Sequence, residues 1–378
     1  MPHGLPAANA ACGFAKSIVR YTKLKRPQTH ESASLCLDNE LKKSFLDPQL
    51  FMIADRVGPA MPQAYRYIAL APIVVIDDWP VAEEPLTGSR AKNTVYDPVT
   101  HRNFVFKKPK PDRESQMWSE LIASYVAGDL LAWPVQHVAI ASYGESFGNL
   151  IGYIYNSDGD EFIEGWSFCR EQDPDYDLER GEHHTLPLLM AVGRALEADG
   201  LAEESFAAFW ARAFALDALL SNTDRHAENW AVIKTGDQRR MAPLYDNATS
   251  LGCEVDEGRL AQSWFDGRNQ LRSETVQRYL SRGRHHVRLE QPGSRGTPFA
   301  DICSAFLQVA PEQRAVFEQV ANLDLQPVSG LLAEIIAMEG VPAPYAMSER
   351  RAVQIESLLI SGRERIRNIL EQEPRAID

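Results

Sequence analysis

The chain has 378 residues, a hydrophobic share of 44% and a charged share of 24%, the makeup of a globular protein with room for a sizeable core in one two-lobed unit or two domains. Its net charge of −13 argues against a general binder of phosphate backbones, which needs a basic face, so no direct nucleic-acid binding is expected. No run of about 18 apolar residues offers a membrane span, and the five cysteines form no CxxC pair, which removes zinc-ribbon and thioredoxin-like readings and points to free thiols in a reducing compartment.

Residues 1–62 show poor periodicity and a small basic cluster (Lys16, Arg20, Lys23, Lys25, Arg26), and are expected to form a loosely packed extension. The first residues lack a positive n-region and a long apolar h-region, so the protein is expected in the cytoplasm rather than exported.

From residue 67 the text changes to YIALAPIVVID, a β-branched run fit for a buried strand over 67–77. LTGSRAKNTVYDP follows, with one glycine where a phosphate loop rich in glycine would have several, so spacing alone makes it a turn. A strand over 103–108 alternates Phe104, Phe106 and Lys108 with Val105 and Lys107, placing the two lysines on opposite faces. Trp118, Leu121, Ile122, Tyr125 and Val126 recur at three and four residues and predict a helix over 114–132. Strands over 135–142 and 149–155 come next, then the turn cluster 156–160. Strands, one helix and strands again make a small α+β lobe over 63–156. Beyond it the chain turns helical, at 185–199, 202–220, 299–309, 311–321, 328–338 and 348–371, as a larger lobe over 157–378. Two features are expected at the surface: the histidine pairs His183-His184 and His285-His286, which lack carboxylates or thiols at ligand spacing, and the basic, Gly/Pro-broken loop 281–296.

Residues 216–252 read LDALLSNTDRHAENWAVIKTGDQRRMAPLYDNATSLG. An apolar helix breaks before Asp224, Asn229 lies five residues on, and two short strands, 230–234 and 241–245, lead to Asp246. A hairpin of this kind brings residues 224, 229 and 246 to one edge. Protein kinases use the same arrangement, because a γ-phosphoryl group with spread negative charge needs positioned hard-oxygen ligands for Mg²⁺ rather than a covalent nucleophile. Taken singly, each of these residues is ordinary turn chemistry.

NTDRHAEN followed by PLYDNATSLG resembles the catalytic and metal-binding segments of the HipA-like kinases, and DRHxxN is shared with the phosphatidylinositol 3/4-kinases. The resemblance implies a two-lobed α+β fold of the protein-kinase-like (HipA/PI3K-like) type and an ATP- and Mg²⁺-dependent protein serine/threonine kinase. Asp224 would serve the acceptor hydroxyl, His226 would support the loop, and Asn229 with Asp246 would hold Mg²⁺. FVFKKP resembles the family's FxFKxP pattern and implies Lys107, rather than Lys108, as the phosphate-binding lysine. Glu120, in preference to Glu114, would be its partner. LTGSRAK resembles the phosphate loop of one HipA-like branch, implying Gly88, Ser89, Arg90 and Lys92 over the phosphates, with Ser89 the nearest candidate for self-phosphorylation. By analogy Tyr153, Ile154 and Tyr155 would flank adenine. Asp217 is expected to brace the loop from inside, while for Arg225 a phosphate and a carboxylate both remain open. A protein substrate and an antitoxin-like partner protein are implied on the same terms. The alternatives are a lipid or small-molecule kinase sharing DRHxxN, and a nucleotide-binding pseudokinase acting as a regulatory module.

Overall fold

A computed structural model describes residues 73–82, 91–155, 159–202, 205–293 and 295–372, all within the unit Ile53–Asp378. The expected extension 1–62 lies outside these residues, as do Gly88, Ser89 and Arg90 and most of the expected strand 67–77. Of that strand the described part is β1 (Val74–Val75).

The alternation in the first lobe produces a hairpin of β2 (Lys92–Asp97) and β3 (Arg102–Lys107). Asp97 closes its turn, taking the Val99 N–H at 2.9 Å and the Thr100 hydroxyl at 2.5 Å, as aspartate commonly does at a turn entry. Helix α1 (Gln116–Ser124) follows and continues as a π-type turn over Tyr125–Leu130, so the helical stretch expected over 114–132 is real but not uniform. Strands β4 (Val138–Tyr143) and β5 (Ser146–Gly152) complete a five-stranded sheet in the order β1-β4-β5-β3-β2. β1 runs parallel to β4, and the other pairings are antiparallel.

The second lobe starts with β6 (Asp160–Glu164), α2 (Gly165–Gln172) and α3 (Leu186–Ala198). Thr185 caps α3, its Oγ1 accepting the Leu188 N–H at 3.3 Å. Helix α4 (Ser205–Leu220) is apolar all round and is buried accordingly, the mark of a helix inside a core. β7 (Ala231–Thr235) and β8 (Gln238–Met241) then pair with β6 in the antiparallel order β6-β7-β8. The second hairpin strand was expected over 241–245 but lies earlier. Pro243 has no N–H to give a ladder, and Leu244 bonds instead to the first lobe, its N–H to the Pro134 carbonyl at 3.0 Å and its carbonyl to the Gln136 N–H at 2.7 Å.

The remaining elements are a one-turn helix α5 (Glu257–Arg259), α6 (Ser273–Arg282), a two-residue pairing of β9 (Arg284–His285) with β10 (Thr297–Pro298), and then α7 (Phe299–Val309), α8 (Arg314–Ala321), α9 (Gln326–Ile336) and α10 (Glu349–Gln372). Ser348 caps α10 by accepting the Arg351 N–H at 3.1 Å. The last helix lies hard against α4: a Cβ on Gly362 would stand 2.1 Å from the Leu219 carbonyl oxygen, so only glycine permits this approach. The largest hydrophobic cluster runs from Met117 and Trp118 of α1 through Trp210 and Phe214 of α4 to Leu358 of α10, with smaller clusters around Phe104 and Phe106 and around Ile154 and Ile233. Among the described residues no helix is long and apolar enough to cross a membrane.

Candidate functional site

The loop after α4 is built on one buried ion pair. Asp217, fully buried on the last turn of α4, takes the Arg225 Nε–H at 3.0 Å and an Nη2–H at 2.8 Å, and the Asn222 side-chain amide at 2.9 Å. Arg225, equally buried, gives its other donors to the carbonyls of Asn229 (3.1 Å) and Tyr245 (2.7 Å) and to Asn247 Oδ1 (2.6 Å). All the donors of its fork are thus engaged. The choice left open in the sequence is settled: Arg225 binds a carboxylate and two backbone carbonyls, not a phosphate. Burial alone would raise the Asp217 carboxyl, but the Arg225 guanidinium and the hydrogen bond from His285 outweigh it and hold it below the usual carboxylate range.

On the outer side of this brace lie the residues with chemistry to offer. Asp224 is partly exposed, and one of its carboxylate oxygens accepts the Thr249 hydroxyl at 3.2 Å. Asn229 donates its Nδ2–H to the Asp224 carbonyl at 2.6 Å, which leaves the amide oxygen as a hard-oxygen donor. Asp246 sits at φ 52°, a left-handed conformation that a non-glycine residue adopts at a cost and that recurs at functional sites. Its carboxylate meets Lys107 Nζ at 2.9 Å. Glu120, buried on α1, lies 4.0 Å from the same ammonium and accepts the Asn247 N–H at 2.8 Å. Two further bonds tie α1 to this segment, from Ser119 Oγ to the Ser250 carbonyl and from Ser115 Oγ to the Cys253 carbonyl. Next to Lys107, β5 comes so close that a Cβ on Gly148 would stand 2.5 Å from the Lys107 carbonyl oxygen.

The structure therefore brings Lys107, Glu120, Asp224, Asn229 and Asp246 into one place from three segments of the chain. Lys108 points elsewhere, donating to Ser146 Oγ at 3.0 Å, and Glu114 accepts the Asp112 N–H at 3.2 Å. Lys92 stands directly opposite Lys107 in the β2–β3 register and so on the same face. Tyr153 hydrogen-bonds to Thr94 at 2.9 Å, Tyr155 stacks on Phe162 with ring centroids 4.9 Å apart, and Ile154 is buried beside the β7–β8 hairpin. His226 accepts the Glu228 N–H at 3.2 Å and packs edge-on against His286.

Sequence patterns did not single out Asn247 or Thr249; their signal was only their place just past Asp246. Glu164, at the end of β6, was also missed. Burial raises its carboxyl above the ordinary range, the Trp166 Nε1–H opposes the shift, and Glu228 adds to it.

Two expectations fail here. The histidine pairs are not solvated throughout: His184 and His285 are fully buried, while His183 and His286 are half-buried. His285 Nδ1 accepts the Val287 N–H at 3.1 Å, so Nε2 carries the proton and donates it to Asp217 at 3.1 Å. His286 lies 3.4 Å from His184, nitrogen to nitrogen, and burial pushes it down to about 3, with Arg288 adding to the shift. Nor is 281–296 a loose surface loop. It is anchored through His285, through the buried Val287, and through Arg288, which donates to the Gly293 carbonyl at 2.7 Å. The anchoring partner, Asp217, lies 68 residues away in sequence, beyond the reach of local composition.

Asn229 Oδ1 and the Asp246 carboxylate are the oxygen type that Mg²⁺ takes, and Lys107 already places a cation against Asp246. Among the described residues no three His, Cys, Asp or Glu side chains gather to hold a metal.

Residues 166–320 match the family model of the HipA-like C-terminal domain. That segment contains Asp224, Asn229 and Asp246, whereas Lys107 and Glu120 lie ahead of it. No curated protein sequence matches the chain. Among solved structures the chain is similar to the Helicobacter pylori proinflammatory kinase CtkA, with a TM-score of 0.60 and 15% identity over 79% of this chain and 96% of that one. It is also similar to the Shewanella oneidensis MR-1 HipA of a toxin–antitoxin complex with HipB and operator DNA, with a TM-score of 0.46 and 12% identity over 76% of this chain and 67% of that one. The α+β architecture thus shares the fold of the kinase CtkA.

Proposed function

We propose that the protein is an ATP- and Mg²⁺-dependent phosphotransferase, and within that class a HipA-like protein serine/threonine kinase. The observation that carries the proposal is the meeting of Lys107, Asp246 and Glu120 beside Asp224 and Asn229. These are the parts phosphoryl transfer uses: a lysine for phosphate oxygens, a glutamate to hold it, two hard-oxygen ligands and an acidic group for the acceptor. Lys92, opposite Lys107 and on the same face, adds a second lysine that can reach phosphate oxygens.

In this reading Asp224 orients the acceptor hydroxyl and takes its proton as the acceptor oxygen bonds to the γ-phosphorus and the bond to the bridging oxygen of ADP breaks. Mg²⁺, held by Asn229 and Asp246, would neutralise charge on the phosphate oxygens. Lys107 and Lys92 bind those oxygens, and Tyr153–Tyr155 flank the base. Glu120 holds Lys107 and the Asn247 backbone together. The buried free thiols Cys169, Cys253 and Cys303 suit a reducing, cytoplasmic setting. A protein substrate and an antitoxin-like partner protein belong to the proposal through the HipA resemblance.

The test is incubation with γ-labelled ATP and Mg²⁺, wild type beside Asp224→Ala, with a thermal-shift assay in parallel. Label transferred by wild type alone supports phosphoryl transfer. A thermal shift without label on the chain or on added protein substrates favours a nucleotide-binding module. Neither label nor shift overturns the proposal.

A further inference from the structure

Away from the Lys107–Asp246 cleft, a pocket of about 280 Å³ opens between the first half of α4 and the end of β8. Its apolar wall includes Pro134, Ala208, Phe209, Met241 and Leu244. The volume lies just below the range of drug-sized ligand sites, about 300 to 1,000 Å³, and so suits a smaller molecule.

Three arginines line it, and they are not equivalent. Arg239 is paired with Asp199, and Arg240 reaches Asp160 at 3.5 Å. Arg212, on α4, is partly buried and has no hydrogen bond or ion pair among the described residues. Burial alone lowers its guanidinium, with no carboxylate to compensate. A partly desolvated cation without a partner is unfavourable, and an anion supplied from outside relieves it. One free guanidinium fork matches one carboxylate in bidentate geometry, whereas a phosphate dianion calls for more donors than the committed Arg239 and Arg240 leave.

We propose that this pocket binds a small organic monocarboxylate with an apolar body, its carboxylate on Arg212 and its body against Phe209, Met241 and Leu244. Leu244 is also the residue whose backbone bonds to Pro134 and Gln136 two positions before Asp246. The occupant would therefore touch the segment that leads into the cleft.

The probe is phenylacetate, with phenethylamine and benzyl alcohol as cationic and neutral bodies of similar shape. Ligand-observed saturation-transfer NMR on the full chain is expected to give a dissociation constant of about 0.1–1 mM for phenylacetate and no saturable signal for the other two. Arg212→Gln should weaken binding at least tenfold, with Arg212→Lys in between because it restores charge without the fork. Ala208→Trp, which fills the pocket and leaves the arginine in place, should abolish binding. Equal binding of all three probes, unchanged binding in Arg212→Gln, or displacement by inorganic phosphate at lower concentration would each overturn the proposal. The readout is binding, so it stands or falls independently of phosphoryl transfer.

Discussion

The inner and outer sides of the loop after α4 follow opposite rules. Inside, Asp217, Arg225, Asn247 and His285 are sealed from water, and Arg225 spends its whole fork on protein partners. Outside, Asp224 and Asp246 are partly exposed, Asp246 holds a strained backbone angle, and Asn229 keeps an oxygen available. Polar residues of the same kinds, all but His285 between positions 217 and 247, thus do two jobs. The inner set fixes where the backbone runs, and the outer set gains positioned charge without having to supply the rigidity itself.

The largest effect expected from breaking this division is at its centre. Arg225→Met leaves Asp217 a buried carboxylate without its partner and should cost about 3–5 kcal/mol, read as a lower urea midpoint with transfer activity lost as a consequence. Asp224→Ala should do the reverse, reducing phosphate transfer by roughly 10²–10⁴-fold while the urea midpoint barely moves. If Arg225→Met keeps its stability, or Asp224→Ala unfolds the chain, the division into brace and working face is wrong.

A smaller effect follows from the buried histidines beside the brace. His286 is pushed down to about 3 from an ordinary value of 6.5. Between those values the unfolded chain binds a proton that the folded chain refuses, so stability falls as pH drops from about 6.5 towards 3, by up to about 1.4 kcal/mol per pH unit. Burial lowers His184 and His285 too, and they act in the same direction. Urea midpoints measured across this window should show the fall, and His286→Leu should remove one proton's share of the slope. A slope unchanged in that variant would take His286 out of the explanation.

The smallest effect tests the seam between the two sides. Thr249→Val removes the hydroxyl that Asp224 accepts at 3.2 Å. The loss of one such bond should lower transfer by a factor of about 2–10, with stability nearly unchanged. An effect as large as that of Asp224→Ala would move Thr249 from positioning the carboxylate into the chemistry.

Much of this was readable before any coordinates, and unevenly so. Helices α3, α4 and α7 lie close to where their apolar residues place them, because that signal is local. The spacing of Asp224, Asn229 and Asp246 pointed to one edge for the same reason: a short hairpin joins them. The second hairpin strand was misplaced because Pro243 ends the ladder and Leu244 pairs with the first lobe. The pair His285-His286 and the loop around it looked like solvent-facing text, since arginine, histidine and glycine together usually are.

The sequence by itself determined the elements and the chemistry available, because periodicity, turn residues and motif spacing act over a few positions. It could not say that His285 would close onto Asp217 across 68 residues, that Arg225 would turn inward rather than towards a phosphate, or that Arg212 would line a pocket without a partner among the described residues. Only the tertiary structure decided these, since burial and pairing depend on which distant segment takes the place of water around a polar group.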